Sequence, residues 1–520
     1  MVKEIEVALT PEGATHPKVR LAKCTKILGV SESEIKHIEI LRRSIDARKY
    51  PTKIRLRCLV FVNEEKPDEK EIELDYKNVS NKKRVNIIGS GPAGLFAALR
   101  LIELGFKPIV LERGKDVSNR RKDLSILHRK HEVNPDSNYC FGEGGAGTYS
   151  DGKLYTRSKK RGNLKRILDI LVAFGSTEDI LIDAHPHIGT NKLPKIIASM
   201  RKTILQSGGE FHFETRIEDL EIRSGKVVSV IDQNQNKFEA EATVLATGHS
   251  ARDIYYLLDR KGLSLEAKSF AMGVRIEHPQ PLIDSIQYHC GPQRERHLPS
   301  ASYSLVHQVK DRGVYSFCMC PGGFVVPAAT TSGEVVVNGM STSTRDSRYA
   351  NSGMVVAIDI EDLRLKKKYG VFAGLEYQKQ LEQLAWEQGG KTQTAPAQRM
   401  VDFVNGKHST MLNGCSYIPG ITSSDLHDWL PDHIGKRLKH AFRAFGKKMK
   451  GYYTNEAQLL GVESRTSSPV RIPRDNKTLQ HPDCEGLFPS GEGGGYAGGI
   501  VSAAMDGERC AEAVVSYLEV

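Results

Sequence analysis

The stretch that most constrains the fold is Arg84–Arg113, which has the pattern of a complete β-α-β unit. A short apolar run leads into Gly-Ser-Gly-Pro-Ala-Gly, a run of strong helix formers follows, and a second apolar run ends at Glu112. The glycines of a G-x-G-x-x-G turn keep it tight, let the backbone approach a pyrophosphate and pack the helix against the strand. The helix start adds free N–H groups and a partial positive charge. The stretch therefore predicts an α/β, Rossmann-like domain that binds an adenine dinucleotide.

The positions of residues in this β-α-β unit predict which of them contact the cofactor. Glu112, at the end of the second strand, is placed to accept a hydrogen bond from a ribose hydroxyl. The other cofactor-binding residues predicted here are Gly89, Gly91, Pro92, Ala93, Gly94 and Arg113.

A second glycine cluster spans Phe141–Leu154. Inside a helix or strand each glycine costs up to about 1 kcal/mol relative to alanine, whereas glycines suit a backbone that touches a ligand closely. We therefore predict a ligand role, although a flexible loop is the alternative. The residues assigned to the cofactor here are Gly144, Gly145, Thr148, Ser150, Gly152, Lys153 and Leu154.

Composition indicates an ordinary globular protein of two or three domains, since 39% of its 520 residues are hydrophobic and 26% are charged. No run approaches the roughly 20 apolar residues of a membrane span, and the charged start does not suit a signal peptide. We therefore expect a cytoplasmic protein without membrane attachment. Nine scattered cysteines suggest reduced thiols. The net charge of +11 suits dinucleotides and RNA alike.

Three domains are predicted. Residues 1–80 are expected to form a small α+β module of ferredoxin-like type, with a helix at Leu21–Leu28, strands at Ile38–Ala47 and Lys53–Val62, and an edge strand at Ile72–Tyr76. Residues 84–267 and 455–520 form the discontinuous dinucleotide domain, and residues 268–454 an inserted, mainly β, α+β substrate domain. The module has basic residues that could bind nucleic acid or simply be solvated: Arg42, Arg43, Arg48, Lys49, Arg55 and Arg57.

Three separated elements resemble the FAD-binding domain of flavoprotein oxidoreductases: GSGPAG with Glu112-Arg113, the Ala246-Thr247-Gly248 turn, and GLFPSGEGGGYAGGI before the last helix. The resemblance implies that the late glycine loop reaches the ribityl chain and isoalloxazine ring, and that Ile217 lines the adenine. It adds these cofactor residues: Ile217, Thr247, Gly248, Gly491, Glu492, Tyr496, Gly498, Gly499 and Ile500.

More narrowly, FGEGGAGTYSDGKLYTR, ATGHSARD, FCMCPGGFVVPA, APAQRMVDF and VESRTSSPVRIPRD resemble bacterial FAD-dependent dehydrogenases of unassigned substrate. The resemblance implies flavin redox chemistry and gives no substrate. A second strand–GxGxxG–helix unit is lacking, so NAD(P)H would have to bind transiently as a reductant. A C-x-x-x-x-C or C-x-x-C pair near the first motif is lacking too, so a disulfide relay of that type is not expected.

The candidate catalytic residues are Cys318, Cys320, His249 and Arg465. Side chains two apart on a strand share a face, so the two thiols could meet a ligand, relay electrons to the flavin or bind a metal; two small buried hydrophobes are the plain alternative. His249 and Arg252 follow the Ala-Thr-Gly turn, where they could face the flavin or a substrate carboxylate. Arg465, with Glu463 and Arg471, could bind substrate or form an interdomain ion pair. No metal site is predicted, although His185 and His187 lie close in sequence.

The sequence therefore predicts an FAD-dependent oxidoreductase that transfers hydride between a small organic substrate and FAD, with NAD(P)H as a transient reductant. Two alternatives remain open at this point: an RNA-associated flavoprotein of the tRNA-modifying type that uses the basic module, and a flavin-holding scaffold without catalysis. The sequence does not indicate an oligomeric state.

Overall fold

The amino-terminal module contains a small antiparallel sheet. The computed structural model describes residues 1–68, 72, 74–156 and 162–519, and its first sheet has the strand order β1-β3-β2. Its elements are β1 (Val2–Leu9), α1 (Pro11–Thr15), α2 (Pro17–Leu28), β2 (Ile35–Asp46) and β3 (Lys53–Val62). This is half of the predicted ferredoxin-like fold, because the described part of the module holds neither a second crossover helix nor a fourth strand.

The predicted edge strand at Ile72–Tyr76 is not formed. Residues 72 and 74–76 are irregular, and Glu73 lies outside the described residues. Ile72, Leu74 and Tyr76 instead pack against the core of the following domain, so their apolar pattern is satisfied without strand pairing.

The dinucleotide domain is built on a five-stranded parallel sheet with the order β21-β10-β4-β5-β6. The predicted β-α-β unit is β4 (Arg84–Ile88), α3 (Pro92–Glu103) and β5 (Lys107–Leu111). The elements that follow are α4 (Val117–Lys130), α5 (Leu164–Ala173), α6 (Asp179–Ile182), α7 (Leu193–Gln206), β6 (Glu210–His212), β7 (Ile217–Arg223), β8 (Lys226–Asp232), β9 (Lys237–Glu239), β10 (Ala242–Leu245), α8 (Arg252–Arg260) and β11 (Glu266–Ala267). β7, β8 and β9 form a separate antiparallel sheet.

The inserted domain contains an eight-stranded, mostly antiparallel sheet in the order β13-β14-β16-β12-β19-β17-β18, with β15 paired to β14. Its elements are β12 (Phe270–Pro279), α9 (Gln280–Tyr288), β13 (Val306–Val309), β14 (Arg312–Pro327), β15 (Val337–Ser341), β16 (Tyr349–Ile358), α10 (Lys366–Tyr369), α11 (Ala373–Gln388), β17 (Ala395–Arg399), α12 (Met400–Asn405), β18 (Ile421–Ser423), α13 (Leu426–Trp429), α14 (Asp432–Lys448) and β19 (Gln458–Glu463).

The predicted end of the insertion at residue 454 is too early. β19 pairs with β12 and with β17, so the sheet of the inserted domain continues to Glu463. The chain then returns through β20 (Val470–Arg471), which pairs with β11, and the dinucleotide domain is completed by β21 (Leu487–Pro489) and α15 (Ile500–Leu518).

One contact joins two of the parts, and another holds the dinucleotide domain together. The apolar face of the module, including Leu56 and Val60, forms one continuous core with the inserted domain. In the dinucleotide domain α15 packs directly on α3, where a Cβ at Gly507 would lie 2.1 Å from the carbonyl oxygen of Ala93. Glycine is therefore the residue that permits this helix contact.

Candidate functional site

The three glycine segments, distant in sequence, meet at the start of α3. A Cβ built on Gly145 would lie 3.1 Å from the Cα of Gly91, so the second segment packs directly on the first turn. A Cβ on Gly147 would lie 3.4 Å from both the Pro92 ring and the Ile500 side chain at the start of α15. The convergence brings together the residues that the sequence assigns to one cofactor.

The Ala-Thr-Gly turn and the late loop complete the same site. A Cβ on Gly493 would lie 2.6 Å from the carbonyl oxygen of Gly248, and one on Gly491 would lie 2.8 Å from the Cβ of Ala93. A Cβ built on Gly248 itself would have no heavy atom within 4 Å, and the same holds for Gly498 and Gly499. These glycines therefore border open space rather than packed protein.

Two helices point their N-termini into this site. α3 begins after Gly91 and α15 begins after Gly499, and a glycine has no side chain with which to cap the helix. The first N–H groups of both helices are thus offered to an external acceptor, and helix starts of this kind favour anions. Bare backbone, two helix starts and open space together fit a dinucleotide with its pyrophosphate.

Glu112 joins the segments of the site. One carboxylate oxygen accepts hydrogen bonds from the amide and hydroxyl of Ser90, at 2.9 and 2.6 Å, and the other from the amides of Gly114 and Gly142, at 2.9 and 3.0 Å. A carboxylate offers about four acceptor positions, and all are engaged within the chain. The ribose contact of Glu112 stays a prediction. The structure adds a role that the sequence did not indicate, which is to link the first turn to the second glycine segment.

Arg113 is likewise engaged within the protein. Its guanidinium pairs with Asp136 and Asp253, each at 3.0 Å, and lies 4.2 Å from the centre of the Phe141 ring. The described contacts therefore assign Arg113 to anchoring the second glycine segment.

Arg120, a residue that the sequence did not single out, shapes the second glycine segment. Its fully buried guanidinium donates to the carbonyl oxygens of Asn138, Tyr139, Glu143 and Gly145 at 2.8–3.0 Å. Burial lowers the pKa of Arg120. An arginine in a strongly charged helix gives no sequence signal for this role, because its carbonyl partners belong to an irregular loop.

The late loop has a comparable anchor. Arg474 pairs with Asp506 of α15 at 2.6 Å and lies 3.7 Å from the centre of the Tyr496 ring. Asp506 also accepts a hydrogen bond from the amide of Gly491 at 2.8 Å. The sequence predicted Gly491 and Tyr496 but missed the buried ion pair that positions them.

The two candidate thiols border the second glycine segment. The ammonium of Lys153 lies 3.7 Å from the sulfur of Cys320, and the guanidinium of Arg275 lies 3.6 Å from the same sulfur. Arg275 also donates to the carbonyl of Cys318 at 2.9 Å and to the Glu463 carboxylate at 2.7 Å. The inserted sheet therefore contacts the second glycine segment at Cys320, with the charged groups of Lys153, Arg275 and Glu463 close by.

The backbone of the thiol segment departs from a regular strand. Cys318 has φ 48°, and the register of β14 against β16 shifts on both sides of Cys320. Cys318 is exposed and Cys320 is buried. The prediction that both side chains share one strand face assumed regular alternation, which the bulge interrupts here; bulges often redirect side chains next to active sites.

The thiols differ in acidity. Hydrogen bonding from Cys320 lowers the pKa of the Cys318 thiol, and the charges of Lys153 and Arg275 lower it further. The interaction with Cys318 and burial raise the pKa of the Cys320 thiol. Burial disfavours the charge of Lys153, but the two sulfurs and Asp151 outweigh it and raise the pKa of the amine.

Asp151 ties the same segment to the inserted domain. Its buried carboxylate pairs with Arg345 and with Lys153, at 2.5 and 3.4 Å, and accepts a hydrogen bond from Ser341. His187 reaches the carbonyl of Ser343 at 3.2 Å. In the part of the chain that the structure describes, no group of three His, Cys, Asp or Glu residues is arranged to hold a metal ion.

Arg465 belongs to a buried ion-pair network. It pairs with Glu382 and Glu334 at 2.8 and 3.0 Å, and Arg252 of α8 pairs with the same two glutamates at 2.9 and 3.4 Å. Burial and the charge of Glu382 raise the pKa of Glu334 to about 7. Burial disfavours ionisation of Glu382, but the two arginines outweigh it and lower its pKa. Of the two alternatives for Arg465, the structure shows the interdomain ion pair.

The remaining predicted residues have the following places. His249 pairs with Glu492 at 3.3 Å, which joins the Ala-Thr-Gly turn to the late loop. The Thr148 hydroxyl donates to the carbonyl of Glu143 at 2.7 Å, and the Ser150 hydroxyl to that of Gly147 at 2.8 Å. A Cβ on Gly152 would lie 2.9 Å from the Gly189 amide. Two side chains are buried in hydrophobic cores, and these are Leu154 and Ile217.

The basic residues of the amino-terminal module are largely neutralised. Four of the six have carboxylate partners: Arg43 pairs with Asp183 at 2.6 Å, Arg48 with Asp46 at 2.7 Å, Arg55 with Glu6 at 2.5 Å and Arg57 with Glu4 at 3.4 Å. An arginine paired with a carboxylate carries little net positive charge with which to attract a phosphate. The contacts thus favour a solvated, ion-paired face over the RNA alternative.

Comparison with known proteins identifies two parts of the chain. Residues 269–466 match the family model described as FAD-dependent protein, C-terminal domain-like, and residues 1–61 match a domain of unknown function (DUF8436). An uncharacterized protein of Clostridium beijerinckii is 41% identical over 516 residues, which is 96% of each chain. The chain belongs to the family of this protein. The inserted domain of this chain therefore resembles the C-terminal domain of FAD-dependent proteins.

Solved structures give only distant likenesses. A flavin-dependent brominase, Bmp2, is 14% identical, with 84% of this chain and 79% of that chain covered and a TM-score of 0.36. Glycine oxidase from Geobacillus kaustophilus is 12% identical, with coverage of 84% and 95% and the same TM-score of 0.36. Likenesses at this level carry no argument about function. None of the helices in the described ranges combines the length and apolar character needed to span a bilayer.

Proposed function

We propose that this protein is an FAD-dependent oxidoreductase that transfers hydride between a small organic substrate and FAD, with NAD(P)H as a transient reductant. The observation that carries the proposal is the convergence of three glycine segments on the uncapped starts of α3 and α15, beside a domain of the FAD-dependent type. Bound FAD would supply the two-electron chemistry, and the chain would supply position and electrostatics.

The roles of the chain follow from its contacts. The first N–H groups of α3, next to Gly91, bind the pyrophosphate. Arg474 and Asp506 hold the late loop and the start of α15 against the flavin half. The inserted sheet contacts the second glycine segment where Lys153 lies beside Cys320, and the substrate is expected to bind there.

The experiment compares two glycine-to-valine variants. Gly91 has φ −67° and ψ −178°, an extended conformation that valine adopts without strain, and its Cβ would be 4.0 Å from the nearest heavy atom. Gly91→Val should therefore fold, while its branched side chain occupies the position of the pyrophosphate. Losing two charge-assisted hydrogen bonds costs about 3 kcal/mol or more, which is roughly a 100-fold weaker binding of FAD. Gly291→Val, at an exposed glycine whose Cβ meets nothing within 4 Å, is the control.

FAD content and dissociation constant are measured by visible absorbance and equilibrium dialysis, with circular dichroism to verify folding. A folded Gly91→Val protein that keeps stoichiometric FAD would refute the assignment. For the reductant, NADH or NADPH is added anaerobically to the wild-type holoprotein. Bleaching of the flavin supports a nicotinamide-linked enzyme, whereas a persistent oxidised spectrum excludes NAD(P)H as the donor.

A further inference from the structure

We propose that Cys318 and Cys320 form a redox-active dithiol that closes reversibly to a disulfide, with Cys318 as the attacking thiol and Cys320 as the resolving thiol. The substrate class is an organic or peptide disulfide, which enters from the exposed side of Cys318. Exchange with such a disulfide needs no cofactor. Only the onward transfer of electrons between the dithiol and FAD rests on the function proposed above.

Access and charge distinguish Cys318 from the other cysteines. Among the nine, Cys318 is the exposed one, and Cys320 beside it is buried. Lys153 and Arg275 bring two positive charges to the pair, at 3.7 and 3.6 Å from the Cys320 sulfur. A thiolate is the nucleophile in disulfide exchange, and nearby cations stabilise it. Cys415 gives the contrast within the same domain, because burial raises the pKa of its thiol to about 11.

The bulge changes the spacing of the two cysteines from that of a regular strand. Two cysteines separated by one residue in a regular strand lie about 6.6 Å apart, close to the upper limit of roughly 6.8 Å for disulfides. Phe317 pairs with Gly353 and Cys320 with Asn351, so three steps along β14 match two steps along β16. The bulge therefore shortens the spacing along the strand. The Cys320 sulfur already turns back to the carbonyl of Cys318, at 3.2 Å.

The reaction balances in two steps. The Cys318 thiolate attacks one sulfur of the substrate disulfide, forms a mixed disulfide and releases the other half as a thiolate. The Cys320 thiol then loses its proton to the released thiolate and attacks the Cys318 sulfur, which expels the second half. One disulfide is formed and one is broken, so the substrate takes two electrons from the protein. Bound FAD could instead act as the acceptor, in which case closure of the dithiol would supply it with two electrons and one proton.

The test uses the full-length protein with FAD bound, equilibrated in buffers of reduced and oxidised glutathione at pH 7. Free thiols are then alkylated, and the cysteines are assigned by peptide mass spectrometry. The expected result is a Cys318–Cys320 disulfide under oxidising ratios. Cys320→Ser should trap glutathione on Cys318, Cys318→Ser should abolish both products, and the control Cys415→Ser should behave as wild type.

A pH profile gives an independent readout. The alkylation rate of Cys318 should reach half its maximum at least one pH unit below the 8.5 or so of a free cysteine, and Lys153→Met should move that midpoint upward. The absence of a Cys318–Cys320 disulfide at every ratio would overturn the inference, and a midpoint near 8.5 would overturn the assignment of Cys318 as the attacking thiol. Flavin absorbance is recorded on the same samples. Bound FAD without disulfide formation refutes the dithiol alone, and a disulfide without FAD binding refutes the proposed function alone.

Discussion

Replacing Arg120 with methionine should loosen the second glycine segment and weaken FAD binding. The guanidinium is fully buried and donates to four carbonyl oxygens between Asn138 and Gly145. Methionine keeps much of the apolar stem and removes every donor. The change therefore tests the hydrogen bonds and leaves the packing of α4 nearly intact.

The magnitude follows from the burial of the acceptors. Three of the four hydrogen bonds are buried, and the one to Gly145 is partly buried. A buried carbonyl that loses its donor costs about 1–3 kcal/mol, and relaxation of the loop toward water keeps the cost near the lower end. The carbonyl of Glu143 keeps the Thr148 hydroxyl as a donor, so two buried carbonyls, those of Asn138 and Tyr139, lose theirs. Two such groups give about 2 kcal/mol, which corresponds to a roughly 30-fold larger population of the opened loop.

The assay is native-state hydrogen exchange at the amides of Gly144 and Gly145, which donate to Ser90 and Gly142 at 3.0 and 2.8 Å. Their protection should fall by roughly 30-fold, together with the affinity for FAD. Lys122→Met, at an exposed position on the same helix, is the matched control. Unchanged protection and an FAD affinity within a few-fold of wild type in Arg120→Met would refute the reasoning.

Two further predictions concern buried glutamates. Glu277 accepts hydrogen bonds from the amide and hydroxyl of Ser416, and burial raises its pKa from 4.5 to about 7. The protonated Glu277 carboxyl contributes stability that is fully present below about pH 4.5 and is lost as the pH rises through about 7. In urea titrations over this window, the free energy of unfolding of the wild type should fall by up to about 3 kcal/mol relative to that of Glu277→Gln. Glu382→Gln should destabilise the protein by about 3 kcal/mol in the same titrations at pH 7.5, because Arg252 and Arg465 would keep buried charges that are incompletely paired.

Exposed glutamates provide the controls. Glu456→Gln and Glu387→Gln change the same formal charge at exposed positions and should leave stability within about 0.5 kcal/mol at every pH. A flat difference between wild type and Glu277→Gln from pH 4.5 to 7 would contradict the first prediction. A Glu382→Gln protein as stable as the wild type would contradict the second.

The sequence predicted those features that depend on local pattern. The β-α-β unit around Gly91, the helix that ends at Gly29 and the strand Lys53–Val62 lie where periodicity and turn residues place them. Glycine runs have few physical reasons to occur other than close contact with a ligand, the resemblance to flavoproteins implied one shared ligand, and the structure brings the three segments together.

Features that depend on long-range partners were not predictable. The pairing of β19 with β12 extends the inserted sheet beyond the expected boundary, and no local pattern in Gln458–Glu463 indicates which sheet it joins. The four-carbonyl site of Arg120 and the network around Glu382 also require segments that only the fold brings together. The bulge at Cys318 was missed because strict alternation was assumed for a segment that the fold bends.

The dinucleotide sheet receives its last strand from the far side of the insertion. β10 ends at Leu245, and its parallel neighbour β21 begins only at Leu487, just before α15 covers α3. At ordinary rates of translation the ribosome needs on the order of ten seconds to a minute to make the intervening chain. During that interval the nascent protein has an unpaired strand edge and an uncovered helix. The cofactor site is therefore assembled last, so FAD can serve as a ligand that distinguishes finished molecules from interrupted ones.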